Sequence, residues 1–271
     1  MGAIKRNIPN FITCLNLFSG CIGIVFAFYN KVPAAVLMMF IAASFDFLDG
    51  LFARLLKVTS PIGRDLDSLA DIITFGFLPG VMMYKLLRTS MGDFLMGMPG
   101  FSYDHPYFLL CHLGFLITVF SAIRLARFNN DPSQSHLFKG LPTPANGLLI
   151  ACLFYWIMNG GSGWPSARIE GSNYFNIGPP QVPKPVIMDF LTHPIVLIGI
   201  IFNLSFLLVA PIKLMAIKFK SFSWKENQWK YILLIVSAPL IIFLGFASAP
   251  IILILYIIIS QIHFRINKHE I

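Results

Sequence analysis

Long apolar segments limit this chain more than any other feature. Eight stretches, roughly 10–29, 33–52, 64–84, 106–123, 141–158, 191–210, 231–247 and 249–264, approach the ~20 residues with which a helix crosses a hydrocarbon layer. Lipid offers no partners for open backbone groups, and unbroken apolar runs of this length satisfy theirs as helices. Hydrophobic residues make up 56% of the 271 positions and charged residues 12%, with a mean hydropathy of +0.75, which excludes an ordinary soluble core. The expectation is an all-α polytopic membrane protein with about eight transmembrane helices, forming a single integral-membrane domain over residues 1–271. Lys5 and Arg6 precede a first run as long as a full span and without a small-residue cleavage site, so that run is expected to stay in the mature chain.

Basic residues orient the bundle. With the N-terminus inside, fifteen of the twenty Lys and Arg fall on one side, and only Lys31, Lys85, Arg88, Arg168 and Lys184 on the other. This asymmetry places both termini in the cytoplasm, with the basic surface toward anionic headgroups. The net charge of +8 does not imply a nucleic acid partner, because no soluble basic domain exists to bind one. Met91 to Pro106 and Asn159 to Asp189 read as external loops, and the Ile-rich stretch from Pro250 to Ile262 as a plain lipid-facing helix. Cys14, Cys21, Cys111 and Cys152 lie within or beside spans, without metal-ligand spacing, and read as packing residues.

Against this apolar background stand four carboxylates. Asp46 and Asp49 lie in the second span, Asp67 and Asp71 in the third. An ionised carboxylate is expensive in hydrocarbon, so such residues face the protein interior and mark a functional site. On a helix, Asp46, Asp49, Gly50 and Ala53 fall within about 100° of one another, and Asp67 and Asp71 lie one turn apart. A short polar turn, Leu55 to Ile62, lets the two helices pack antiparallel with the four acids together near the cytoplasmic end. Oxygen-only ligands suit Mg²⁺ or Mn²⁺. Gly50 and Ala53 leave room for a ligand on the acid-bearing face, and Arg54 offers a donor fork for phosphate. Asn10, Thr13 and Asn16 follow helical spacing, which fits either a ligand pocket or helix–helix hydrogen bonding.

The run SFDFLDGLFARLLKVTSPIGRDLDSLADIITFG resembles the signature of the CDP-alcohol phosphatidyltransferases, with Asp46, Asp49, Gly50, Ala53, Arg54, Gly63, Asp67 and Asp71 at all eight fixed positions. The resemblance implies a six-helix membrane core, here residues 1–210, followed by a basic loop and two additional C-terminal helices within 211–271. It further implies a homodimer, a divalent-metal requirement with two ions, and displacement of CMP from a CDP-linked lipid by an alcohol. By position, Asp46, Asp49, Asp67 and Asp71 become metal ligands, and Asp71 also the general base. Asp49, Gly50, Ala53, Arg54 and Gly63 become the site for the CDP-lipid.

Three further strings, PNFITCLNLFSG, SAIRLARFN and FKGLPTPA, resemble the phosphatidylserine synthase branch of that family. They imply CDP-diacylglycerol and L-serine as substrates, in a prokaryotic cytoplasmic membrane with the site facing the cytoplasm. Arg124, Arg127, Asn129 and Lys139 are the candidates for binding serine, since a free amino acid needs partners for its carboxylate and ammonium. Glycerol phosphate and inositol phosphate want cations too, so these residues alone do not choose the acceptor. A cation or proton transporter is the alternative from another class, because intramembrane acids also line ion paths. Against it, the acids crowd one end and no second half of the chain repeats them.

Overall fold

The computed structural model describes residues 2–58, 61–96, 106–130, 138–161, 186–215 and 224–266. Helices α1 (Gly2–Phe28) and α2 (Val32–Leu56) form an antiparallel pair, followed by α3 (Pro61–Asp71), a π-helical segment (Ile72–Phe77) and α4 (Leu78–Leu95), which run on as one rod. A 3₁₀ stretch (Pro106–Phe115) leads into α5 (Leu116–Asn130). Next come β1 (Phe138–Lys139), α6 (Thr143–Met158), the short α7 (Val186–Leu191), α8 (Pro194–Val209) and β2 (Lys213–Leu214). The chain closes with α9 (Trp224–Leu244), a 3₁₀ turn (Gly245–Ser248) and α10 (Ala249–Ile266).

The all-α membrane architecture agrees with the sequence pattern. Five segments are long and apolar enough to cross a membrane, namely Asn7–Phe28, Val32–Leu56, Ile62–Leu95, Pro106–Asn130 and Asn227–Ile266. The last is bent by the 3₁₀ turn, where Gly245 takes φ +54, into two helices that pack on each other. Thr143–Met158 and Pro194–Val209 are shorter apolar helices. Three details depart from the expectations. Helix α4 continues through Met91 to Leu95, α7 occupies the end of the second expected loop, and β1 pairs antiparallel with β2, Phe138 opposite Leu214. Two-residue strands carry too little pattern to be seen in sequence.

Small residues set how closely the helices approach. A Cβ on Gly20 would stand 2.6 Å from Thr74 Oγ1, and one on Gly23 2.8 Å from Leu78 Cδ2, so α1 runs alongside the α3–α4 rod in the same direction. A Cβ on Gly76 would meet Ser121 and one on Gly80 would meet Thr118, so α5 descends antiparallel to the rod. Gly147 of α6 lies against Phe75. Without a hydrophobic drive between helices in lipid, close backbone approach of this kind supplies the packing. The main core, with Met39, Phe75, Leu78, Met82, Leu86, Ile150 and Phe154 at its centre, joins α2, α4 and α6. A second cluster, Leu141, Leu214, Met215, Leu233, Tyr256 and Ile259, ties the β1–β2 region to the last two helices, so α10 is not the plain lipid-facing helix its sequence suggests.

Candidate active site

Local chemistry explains how α2 and α3 present their acids to each other. Helix α2 ends with Lys57 in the left-handed conformation, φ 51, its N–H bonded to Arg54 O and the Val58 N–H to Ala53 O. This is the hydrogen-bond pattern of a Schellman cap, and it turns the chain sharply at the end of the helix. Pro61 restarts helix at a first-turn position, where its missing N–H is no loss. The reversal brings one carboxylate oxygen each of Asp46, Asp49 and Asp67 within 4.8 Å of one another. Asp71, a turn deeper, meets Asp46 in a side-chain hydrogen bond, while its Oδ1 is buried without a partner among the described residues. Asp49 is buried too, and Thr13 Oγ1 of α1 donates to its Oδ2 at 2.6 Å.

Beside the acids opens a cleft of ≈ 320 Å³ lined by α1, α2, α3 and the turn between α2 and α3. Pro9, Asn10 and Thr13 form one wall, Asp49, Gly50 and Ala53 the second, and Val58, Gly63, Arg64 and Asp67 the third. Gly50 marks its inner surface, since a Cβ there would meet nothing within 4 Å, unlike the packing glycines of the bundle. Of the CDP-lipid candidates, Asp49, Gly50, Ala53 and Gly63 therefore share one cavity. Arg54 is exposed and is not among the lining residues, whereas Arg64, which the motif does not single out, contributes to the wall. Asn10 and Thr13 face the cleft, while Asn16 lies buried beyond it with neither side-chain polar atom partnered among the described residues.

A second set of polar groups lies inside the bundle. Arg124 of α5 is only 7% exposed and lies within electrostatic reach of Asp71. Its Nη1 donates to Thr143 Oγ1 at 3.1 Å, and its Nε has no partner among the described residues. Thr143 and Asn146, both fully buried, come from the first turn of α6, and the Asn146 amide is unpartnered as well. Of the four serine candidates, only Arg124 belongs to this interior. Arg127 is exposed, and Asn129, also exposed, donates through Nδ2 to Ser68 Oγ at 2.8 Å. Lys139 lies in β1, and its side chain is outside the described residues. Asn146 was not anticipated; a lone amide in an otherwise apolar span, just after FKGLPTPA, is the signal that marks it.

The donor set fits hard divalent cations. Three carboxylates converge, a fourth has an orphaned buried oxygen, and the nearest unassigned cation along the motif, Arg64, is exposed. Carboxylates this close repel unless a cation or proton stands between them, and an all-oxygen set favours Mg²⁺ or Mn²⁺.

Comparison with known proteins agrees with this arrangement. The chain is 33% identical over 149 residues to the CDP-diacylglycerol–serine O-phosphatidyltransferase of Bacillus subtilis, covering 55% of this chain and 75% of that protein. The Helicobacter pylori protein of the same name is 33% identical over 144 residues, 52% of this chain and 54% of its own length. That of Saccharomyces cerevisiae is 31% identical over 177 residues, 58% of each. The chain thus spans between about half and three quarters of the length of these relatives. The family model described as CDP-alcohol phosphatidyltransferase matches residues 6–173, a stretch that contains the acid cluster, the whole wall of the cleft and the buried Arg124. With more than half of its length inside that match, the chain belongs to the CDP-alcohol phosphatidyltransferase family.

Proposed function

We propose that the protein transfers the phosphatidyl group of CDP-diacylglycerol to the hydroxyl of L-serine, forming phosphatidylserine and releasing CMP. The observation that carries this reading is buried Arg124, within electrostatic reach of Asp71 and bonded to Thr143, in an interior that contributes nothing to the wall of the Gly50 cleft. A centre with an open cleft on one side of the acids and a separate buried polar group around Arg124 suits two unlike substrates. The names of the relatives support serine as the second of them.

In this reading Asn10, Gly50, Ala53 and Gly63 receive the cytidine and ribose, with Arg64, and Arg54 from the last turn of α2, toward the phosphates. Asp46, Asp49 and Asp67, with Asp71 completing the set, would hold two Mg²⁺ or Mn²⁺ ions, and ions bound there would supply polarisation of the pyrophosphate and charge compensation for the departing CMP. Arg124 takes the serine carboxylate through a charge-assisted hydrogen bond, and the buried, unpartnered Asn146 is the candidate acceptor for its ammonium. Asp71 accepts the proton of the serine hydroxyl as that oxygen bonds to the phosphorus bearing the diacylglycerol. The bond from this phosphorus to the bridging oxygen breaks, and CMP leaves with the electron pair. Burial of Arg124 and Asp71 keeps bulk water away from the same phosphorus, which limits hydrolysis. The reading includes a homodimer in a prokaryotic inner membrane, with the site and both termini on the cytoplasmic side.

The test is CMP release from CDP-diacylglycerol by purified protein in lipid nanodiscs, with serine, glycerol phosphate, inositol phosphate or no acceptor. Serine should support turnover, chelation should abolish it, and Mg²⁺ or Mn²⁺ should restore it. Turnover with glycerol phosphate or inositol phosphate and none with serine would reassign the acceptor. Undiminished activity in metal-free protein would remove the ions from the account.

A further inference from the structure

The family match ends at residue 173, yet the last helix reaches back toward the matched region through a series of side-chain contacts. Three polar side chains on two turns of α10 grip the backbone of the β2 region. Tyr256 Oη donates to Met215 O at 2.7 Å, Ser260 Oγ accepts the Met215 N–H at 3.2 Å, and Gln261 Nε2 donates to Lys213 O at 2.9 Å. Tyr256 and Ser260 are buried, in a helix whose other residues are mostly isoleucine and leucine. Spacing of four places these two on one face, one turn apart.

What β2 holds in turn is the entrance to α6. Lys213 and Leu214 pair with Lys139 and Phe138, the Gly140 N–H bonds to Ile212 O at 2.9 Å, and the Leu141 N–H to Leu207 O at 2.9 Å. Gly140 sits at φ +78, and a Cβ there would fall on the Leu208 carbonyl, so this crossing admits no side chain. Two residues beyond Leu141 is Thr143, the hydrogen-bond partner of Arg124, and three further on is Asn146. Tyr256 also lies within electrostatic reach of Arg124. Hydrogen bonds therefore run from α10 through β2 to β1 and Leu141, and two residues of backbone carry the connection on to Thr143 and Arg124. It touches none of the residues that line the Gly50 cleft.

The geometry points to Tyr256, with Ser260 and Gln261, as positioning residues for the acceptor alcohol: α10 is a brace that sets the β1 crossing and, through it, Thr143, Asn146 and Arg124. This rests on the reading of the buried group around Arg124 as the acceptor site. It gives the C-terminal helices, beyond the family match, a specific effect on one substrate of the two.

Full-length Tyr256→Phe tests this with packing almost unchanged, and Gln261→Ala tests it independently from a more exposed position. In nanodiscs, each variant should raise the acceptor KM about 3- to 10-fold, the range expected for loss of one net hydrogen bond. The KM for CDP-diacylglycerol should stay within about twofold of wild type on the same reasoning. Amide hydrogen exchange at Gly140 and Leu141 should quicken in both variants, a readout that needs no turnover. Parallel rises in both KM values would make α10 a general structural prop and overturn the proposal, as would an unchanged acceptor KM with unchanged exchange. Failure of the serine reading is seen separately: wild-type protein would then turn over with another alcohol, and the same KM comparison is made with that one.

Discussion

Gly50→Ala should push stability and substrate binding in opposite directions. Gly50 lies inside α2, and a Cβ there meets no atom within 4 Å. Alanine is favoured over glycine in a helix interior by about 0.5–1 kcal/mol, so the variant should fold at least as well as wild type. The added methyl nevertheless projects into the ≈ 320 Å³ cleft, where the nucleotide is proposed to lie against the helix backbone. Forcing one methyl group into a filled site typically costs about 1–3 kcal/mol, which corresponds to roughly 5- to 150-fold weaker binding. Gly114→Ala is the contrasting variant. Its Cβ would fall 2.5 Å from Tyr84 N and 2.9 Å from Gly80 O, so it should lower stability with no specific effect on either substrate. Thermal unfolding in nanodiscs together with initial-rate measurement of both KM values gives the comparison. If Gly50→Ala retained wild-type KM for CDP-diacylglycerol, the nucleotide would not lie against α2, and the reasoning from open space at Gly50 would be refuted.

Two further substitutions separate the proposed roles. Asp71→Asn should retain CDP-lipid binding and lose turnover, whereas Asp49→Asn should weaken both, read by equilibrium binding of a CDP-lipid beside single-turnover rates; equal loss of binding in the two would erase the division between base and metal ligand. Arg124→Lys keeps the charge but not the planar donor fork, so serine KM should rise about 10- to 150-fold, the equivalent of one charge-assisted hydrogen bond of about 1.5–3 kcal/mol. Arg127→Ala, at an exposed position, should leave serine KM nearly unchanged, and the reverse pattern would move the acceptor to the outer end of α5.

Much of the acid cluster was legible because its geometry is local. Aspartates three and four apart share a helix face, and a four-residue connection leaves two consecutive helices little choice but to pack together. The wall of the cleft was partly legible, since Gly50, Ala53 and Gly63 lie on the same two helices, but Arg54 and Arg64 differ only in which side of the reversal they leave from. The choice between Arg124 and Arg127 was out of reach for a related reason. Residues three apart occupy neighbouring positions on one face, and their separation comes from depth: Arg124 is a turn further inside, where Thr143 from another helix receives it. Tyr256, Ser260 and Gln261 were hidden more completely. Their partners are backbone atoms more than forty positions away, in or just after a strand of two residues, and no periodicity in α10 records them.

In the proposed arrangement the nucleotide lies in the cleft among α1 to α3 and the acceptor against Arg124 and Thr143 of α5 and α6, so neither substrate has to leave before the other enters. In the direct displacement proposed above, the phosphatidyl group is never carried on a side chain. The order of events is therefore that of a ternary complex, and double-reciprocal plots of rate against one substrate at several fixed levels of the other should intersect; parallel lines would mean that the group is parked on the protein.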